Sequence, residues 1–246
     1  MVSFKVLTYN IHSGCDAQKN HNFEAIIDVL SASGADVIGI NEVDRYWDSR
    51  SNWQDQVEIL SNRLKMEAFY APAMILPPKD GRKQKREYGN ALFTRFPIIE
   101  KTKHAMYMHD DPTITYDGTC DTESRSLLQA NLNLRGSELW VLVTHLTVYD
   151  QKDRLNQVKK LGKIIKSLEG ALILMGDLNA TADSEELSIL TKCLDDPSEG
   201  RGFVTYYPEN PRQIDFILTR NLECKNIEVI KSDASDHYPV VADLTF

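Results

Sequence analysis

The sequence predicts an α/β protein built from sheets packed together and covered by helices. Three observations predict it: many short strand-like runs recur along the chain, a few amphipathic helical stripes lie between them, and no glycine-rich strand-to-helix turn of the dinucleotide or P-loop kind occurs. The 246 residues are 42% hydrophobic, an ordinary globular composition with length for a packed core. No Pro/Gly/Ser-rich linker or shift in composition divides them, so a single domain over 1–246 is expected, and disordered or fibrous structure is excluded.

Residues 4–10 read as the first strand, where Phe4, Val6 and Leu7 lead into a polar Thr-Tyr-Asn end. Phe23, Ile26, Ile27 and Leu30 fall at i, i+3, i+4, i+7 behind Asn22, a good N-cap residue, so an amphipathic helix follows and ends near Ser33 and Gly34. The run Val37-Ile38-Gly39-Ile40 is a short buried strand that delivers Asn41 and Glu42 at its end. A second helix over about residues 55–65 sets Val57, Leu60 and Leu64 on one face, and 69–73 reads as strand.

Residues 77–89, PPKDGRKQKREYG, break any regular pattern and gather Lys79, Arg82, Lys83, Lys85 and Arg86 into an exposed basic loop. Strands follow at 91–94, 126–134 and 139–144, interrupted by the polar stretch 109–122. Leu155, Val158, Leu161, Ile165 and Leu168 make the longest helical stripe. A buried strand at 172–175 comes next, then strands at 214–218, 227–230 and 240–244, with no internal repeat.

The 36 Asp and Glu outnumber 28 Lys and Arg, giving a net charge of -8 that disfavours holding nucleic acid or anionic lipid by bulk electrostatics. Cys15, Cys120, Cys193 and Cys224 are scattered without metal-ligand spacing, so neither a disulfide framework nor a zinc knuckle is expected and a reducing compartment fits. The start, MVSFKVLTYN, has no basic region followed by an apolar one, so no signal peptide and a cytoplasmic location are expected. No apolar run approaches the roughly 20 residues that span a bilayer.

Five polar clusters follow or interrupt strand signals: Tyr9-Asn10, Asn41-Glu42, Thr144-His145, Gly176-Asp177-Leu178-Asn179 and Ser235-Asp236-His237. Taken singly, a strand ending in Asp or Asn is usually a turn, because those side chains cap local backbone groups. Aligned at one rim, they could hold a divalent metal on hard oxygen ligands while imidazoles handle protons. The missing Cys/His ligand set favours magnesium or manganese over zinc.

In order along the chain stand LTYNIHSG (7–14), DVIGINEVDR (36–45), YGNALFTRFPI (88–98) and ESRSLLQANL (123–132). VLVTHL (141–146), LILMGDLNA (172–180), QIDFIL (213–218) and SDHYPVVADL (235–244) complete the set. The ordered set resembles the endonuclease/exonuclease/phosphatase superfamily of deoxyribonuclease I-like, metal-dependent phosphoesterases over nearly the whole chain. The resemblance implies a four-layer αββα sandwich, two mostly antiparallel sheets face to face with helices outside. It implies a hydrolase that drives in-line attack of water on phosphorus, with Mg2+ as cofactor and Mn2+ as an alternative, acting as a monomer.

Carried over by motif, Glu42 is the principal metal carboxylate, Asn10 a neighbouring metal or phosphate contact, and Asp236 a further metal ligand. His237 is oriented by Asp215 and is the preferred general base, with Asp177 as rival. Asp177 and Asn179 position the attacking water and the phosphate oxygens, and His145 stabilises the developing charge or protonates the leaving oxygen. Arg125 resembles a phosphate-binding arginine, against the alternative of an ion pair with Glu123, and Asn90 is placed near the same phosphate. His12, His21, His104 and His109 match no catalytic position and are expected to be structural or solvated.

The loops 46–53, 77–89 and 109–122 are expected to select the substrate. The YNIHSG and NEVDR forms look closer to small bacterial members and lipid-anchor-related phosphodiesterases than to abasic-site nucleases. A small or lipid-linked phosphodiester is therefore the leading substrate class, with a DNA/RNA endonuclease or exonuclease as the alternative. A non-catalytic binding module on the same fold is a remote third, because all the carried-over positions match.

Overall fold

The structure, a computed structural model, describes residues 2–106 and 123–246. The expected polar stretch 109–122, with His109 and Cys120, lies outside the described residues.

Period-two alternation builds the first strand. In β1 (Ser3–Asn10), Phe4 and Val6 face one core while Leu7 and Tyr9 face another, so both sides of the strand are buried. β1 pairs in parallel with β2 (Val37–Arg45) and antiparallel with β11 (Val240–Thr245). The rest of this sheet is β3 (Glu67–Leu76), β4 (Arg86–Thr94) and β10 (Glu223–Val229), in the order β10-β11-β1-β2-β4-β3. A second sheet runs β5-β6-β7-β8-β9, from β5 (Ile98–Met106) through β6 (Arg125–Leu134), β7 (Ser137–His145) and β8 (Ala171–Asp177) to β9 (Asp215–Arg220).

Three cores make the layers. The sheets meet face to face over Val6, Val37, Leu92, Leu128, Val141 and Ile173. On the outer face of the first sheet, Ile26, Ile27 and Leu30 of α1 (Phe23–Ser33) and Leu60 of α2 (Gln56–Leu64) cover Leu7 and Ile38. On the outer face of the second, Val158, Leu161 and Ile165 of α3 (Gln151–Ser167), with Leu187 and Leu190 of α4 (Glu185–Leu190), cover Leu172 and Leu174. The described residues therefore form the expected αββα sandwich.

The helix boundaries follow local chemistry. The side chains of Asp55, Asp150 and Ser184 accept hydrogen bonds from the first turns of α2, α3 and α4. Asn22 does hold the N-cap position of α1, but its side chain makes no cap bond there; its amide instead reaches the Ala234 carbonyl.

Four expectations need correction. β2 does not stop at Ile40: it continues to Arg45 through an irregularity between Ile40 and Val43. The basic segment 77–89 is not all loop, because its last residues, Arg86 to Gly89, enter β4 opposite Leu76 to Pro72. β5 is an edge strand whose Glu100, Lys101 and Lys103 leave little apolar pattern to read. α4, at six residues, is too short to show a stripe.

Candidate active site

Strand direction alone brings the polar clusters to one end of the sandwich. Asn10 ends β1 beside Asn41 of β2. Across the second sheet His145, Asp177 and Asp215 stand side by side, His145 opposite Asp177 and Asp177 opposite Asp215. Arg125 opens β6 at the same end, and His237 arrives just before β11.

A bulge aims Glu42. Ile40 pairs with Ala91 and Val43 with Gly89, so Asn41 and Glu42 together oppose Asn90 alone. Glu42 takes a left-handed φ of 60, a conformation that disfavours a side chain and concentrates at functional positions. The same kink turns Asn41 inward, where its amide donates to Asn90 Oδ1 at 2.7 Å and to the Thr144 carbonyl at 3.0 Å, and its Oδ1 accepts from Asp177 N at 2.8 Å. Glycine is required opposite it: Gly176 has φ +137, and a Cβ there would lie 1.9 Å from the Thr144 oxygen.

A line of polar contacts runs through the buried end. Asp215 Oδ2 lies 2.8 Å from His237 Nδ1, and His237 Nε2 lies 3.8 Å from Asp177 Oδ2. The Asn10 amide nitrogen donates at 3.0 Å both to Asp177 Oδ2 and to Glu42 Oε1. Asp177 Oδ1 accepts from Asn179 N at 2.9 Å, and Asp177 Oδ2 lies 3.4 Å from His145 Nε2. Beyond it, Arg125 Nη1 is 3.1 Å from His145 Nδ1 and 2.8 Å from Glu123 Oε1. A guanidinium can only donate, so His145 Nδ1 accepts and the neutral ring carries its proton on Nε2, which lies 3.4 Å from Asp177 Oδ2 and 3.1 Å from the Asn179 amide nitrogen, itself donating to the Leu146 carbonyl at 2.9 Å.

The charges tune one another. Burial pushes the Asp177 carboxyl up, and Asp215 beside it adds to that, to about 7; His237 and the bonds from Asn179 and Asn10 oppose the rise. Burial would lower the His237 imidazole, but Asp215, Asp177 and Asp236 together push it up to about 10. His145 goes the other way: burial, then the Arg125 and His237 cations, hold it well below the usual imidazole range.

Several expected residues stand differently from their carried-over roles. Asn10 uses its Oδ1 to accept from His12 N at 3.1 Å and its amide to join two carboxylates, so it is a strut between Glu42 and Asp177. The Asn90 amide donates to the Ser126 carbonyl and its oxygen accepts from Asn41, which commits both ends within the sandwich. Arg125 makes the alternative ion pair with Glu123 and also orients His145. Asp236 is apart from the line, accepting from Ser235 Oγ and lying 3.8 Å from His12 Nδ1.

The oxygen-rich set suits a hard divalent cation. Ligand atoms of Asp177, Asp215 and His237 all lie within 4.8 Å of one another, and the buried Asp215 Oδ1 has no hydrogen-bond partner among the described residues. Glu42 borders a cavity of about 280 Å³ shared with His12, Arg50, Trp47, Tyr88 and Glu123. Sequence reasoning named Asn41 and Ser235 within polar clusters without a role of their own, and Glu123 only as the alternative partner of Arg125. Asn41 was visible as half of a polar pair, but only the bulge separates its inward role from that of Glu42.

Known proteins share this architecture. An endonuclease/exonuclease/phosphatase from Beutenbergia cavernae superposes with a TM-score of 0.81 at 20% identity, covering 99% of this chain and 72% of that one. A mannosyl-6-phosphatase of Bacteroides thetaiotaomicron gives 0.70 at 17% identity over 99% of this chain and 100% of that one. D. rerio TDP2 complexed with single strand DNA product gives 0.72 at 16% identity, covering 99% of each chain. By sequence, 185 residues are 25% identical to protein cwh43 of Schizosaccharomyces pombe, 75% of this chain but 17% of that protein. A UPF0294 protein of Vibrio campbellii is 30% identical over 96 residues, 37% of this chain and 33% of that one. The chain thus spans only a minor part of either curated relative. Among the described residues no helix is long and apolar enough to cross a membrane. The family profile of the endonuclease/exonuclease/phosphatase family matches residues 7–237, and the chain belongs to that family of divalent-metal-dependent enzymes that hydrolyse phosphoesters.

Proposed function

We propose that the chain is a phosphodiesterase that drives in-line attack of water on phosphorus in a small or lipid-linked diester, with Mg2+ as its cation and Mn2+ as a substitute. The observation that supports this best is the polar line from Asp215 through His237, Asp177 and Asn10 to Glu42, which ends at a cavity of headgroup size, about 280 Å³. Glu42, the carboxylate of this line that borders the cavity, would hold the cation and leave Asp177 free for the proton. Bound there, it supplies neutralisation of charge on the phosphoryl oxygens.

The protein's own groups divide the proton work. Asp177, raised to about 7, accepts the proton of the attacking water at neutral pH. This reverses the preference for His237 as base, because a ring held protonated by Asp215 has no free lone pair to accept with. The His237 imidazolium and the Nε2–H of His145 donate to oxygens that gain charge, and Asn179 fixes Asp177 between them.

Hydrolysis of lipid phosphodiesters, soluble mono- and diesters, DNA and RNA with Mg2+ or Mn2+ tests the reading, with Glu42→Gln and Asp177→Asn as controls. Turnover of small or lipid diesters, lost with chelator and in both variants, is the expected result. Turnover confined to oligonucleotides, or to monoesters, would overturn the substrate class.

A further inference from the structure

The mouth of the cavity carries a surface that hydrolysis itself does not require. Among the described residues four large apolar side chains stand out in solvent: Ile75 at 54%, Ile99 at 54%, Val148 at 49% and Tyr149 at 49%. Two of them belong to the mouth: Tyr149 lines the cavity and Val148 precedes it in the same loop, whereas Ile75 alternates with Met74 and Leu76 along β3 and faces away from the cavity side. Ile99 lies near the start of β5, whose other end, Met106, is the one that pairs with Arg125 at the site.

Positive charge gathers at the same rim. The segment 77–85 joins β3 to β4 and exposes Lys79, Arg82, Lys83 and Lys85 around the single carboxylate Asp80, in a chain whose net charge is -8. Lys19 lines the cavity itself. Segregating cations beside exposed aliphatic side chains suits a surface with anionic charge outside and hydrocarbon beneath.

Nucleic acid fits this rim less well, because stacking of successive bases needs a row of open aromatic faces, and beside the exposed Tyr149 the nearby tryptophans are covered. Trp47 is buried under Arg50 and Arg86, at 5.2 and 5.7 Å, and Arg82 covers Trp53 at 4.3 Å.

We propose that this rim docks on an anionic lipid bilayer, the 77–85 loop meeting the headgroups while Val148 and Tyr149 enter the interfacial layer. The inference rests on the reading of the site as one that acts on a lipid-linked phosphodiester. Docked in this way, the cavity faces the headgroup level, and a scissile phosphate enters without its lipid leaving the bilayer. Each lysine near such a surface strengthens partition about fivefold, and the attraction fades with salt.

Co-sedimentation with vesicles of phosphatidylcholine, with and without phosphatidylserine, tests the surface directly and needs no turnover. Wild-type protein should bind the phosphatidylserine vesicles and not the neutral ones. Replacing Lys79, Lys83 and Lys85 by Gln should weaken binding about 100-fold, and Val148→Ser should weaken it while circular dichroism stays unchanged. Hydrolysis of a soluble diester should be equal in all of these variants, and KM for vesicle-borne diester should rise with kcat unchanged. Absence of wild-type binding, or tighter binding to a single-stranded oligonucleotide at equal phosphate concentration, would overturn the proposal. Loss of soluble-diester turnover in wild type would instead sink the catalytic reading and leave the vesicle result standing.

Discussion

The two sides of the site treat the same buried side chain in opposite ways. His145, on the second sheet, has the Arg125 guanidinium against its Nδ1 and stays neutral with its proton on Nε2. His237, which arrives just ahead of β11, has Asp215 against its Nδ1 and stays protonated well above neutral pH. Both are almost fully buried, at 5% and 4% exposure, so burial does not distinguish them. The sign of the nearest partner does, and it gives one site both a fixed neutral donor and a fixed cation.

The largest effect should come from breaking the His237 side. Asp215→Asn removes the charge that holds the His237 ring protonated and so costs the site its fixed cation, and kcat/KM should fall about 10³- to 10⁴-fold. The His237 titration followed by NMR should move down from about 10, and an unmoved titration would refute the pairing. Next, His237→Ala removes a cation that lowers Asp177. The acidic limb of the pH–rate profile, expected near 7, should shift to higher pH, with turnover down about 10²- to 10³-fold. A limb that disappears would return the base role to His237.

On the other side, Arg125→Met combined with Glu123→Gln removes the pair together, so that no buried charge is left uncompensated. The His145 titration should climb toward 6.5, and activity should drop about tenfold as the tautomer loosens. The smallest effect is on stability in chelator. The raised His237 pKa contributes stability that is full below 6.5 and lost as pH rises through about 10. The lowered His145 pKa gives the reverse, stability lost as pH falls below 6.5. The Tm of His237→Gln should therefore decline less between neutral and alkaline pH than that of wild type, by a few degrees.

Much of this was legible in the chain. An unbroken apolar run marks β8 because both its faces pack against separate cores, and the polar ends of β1, β7 and β8 stand where the strands deliver them. The bulge was not legible, since Ile40, Asn41, Glu42 and Val43 read equally well as a strand followed by a turn. Nor was the tautomer of His145, which depends on Arg125 reaching across from another strand, 20 residues away in sequence. Asn10 shows the same limit: its residue type is compatible with a metal, a phosphate or two carboxylates, and only the packed geometry selects among them.

The first sheet pairs strands far apart in sequence, with β11 inserted between β1 and β10. A ribosome therefore makes β1 to β4 long before the strand that closes them, and His237 emerges beside that last strand. Until then β1 has an open edge, and Asp215 lacks its partner. The site is thus catalytically silent until β11 has been made. Stalled chains ending at residue 230 should be inert and protease-sensitive along β1, whereas chains that extend past β11 should gain activity and protection in the same step.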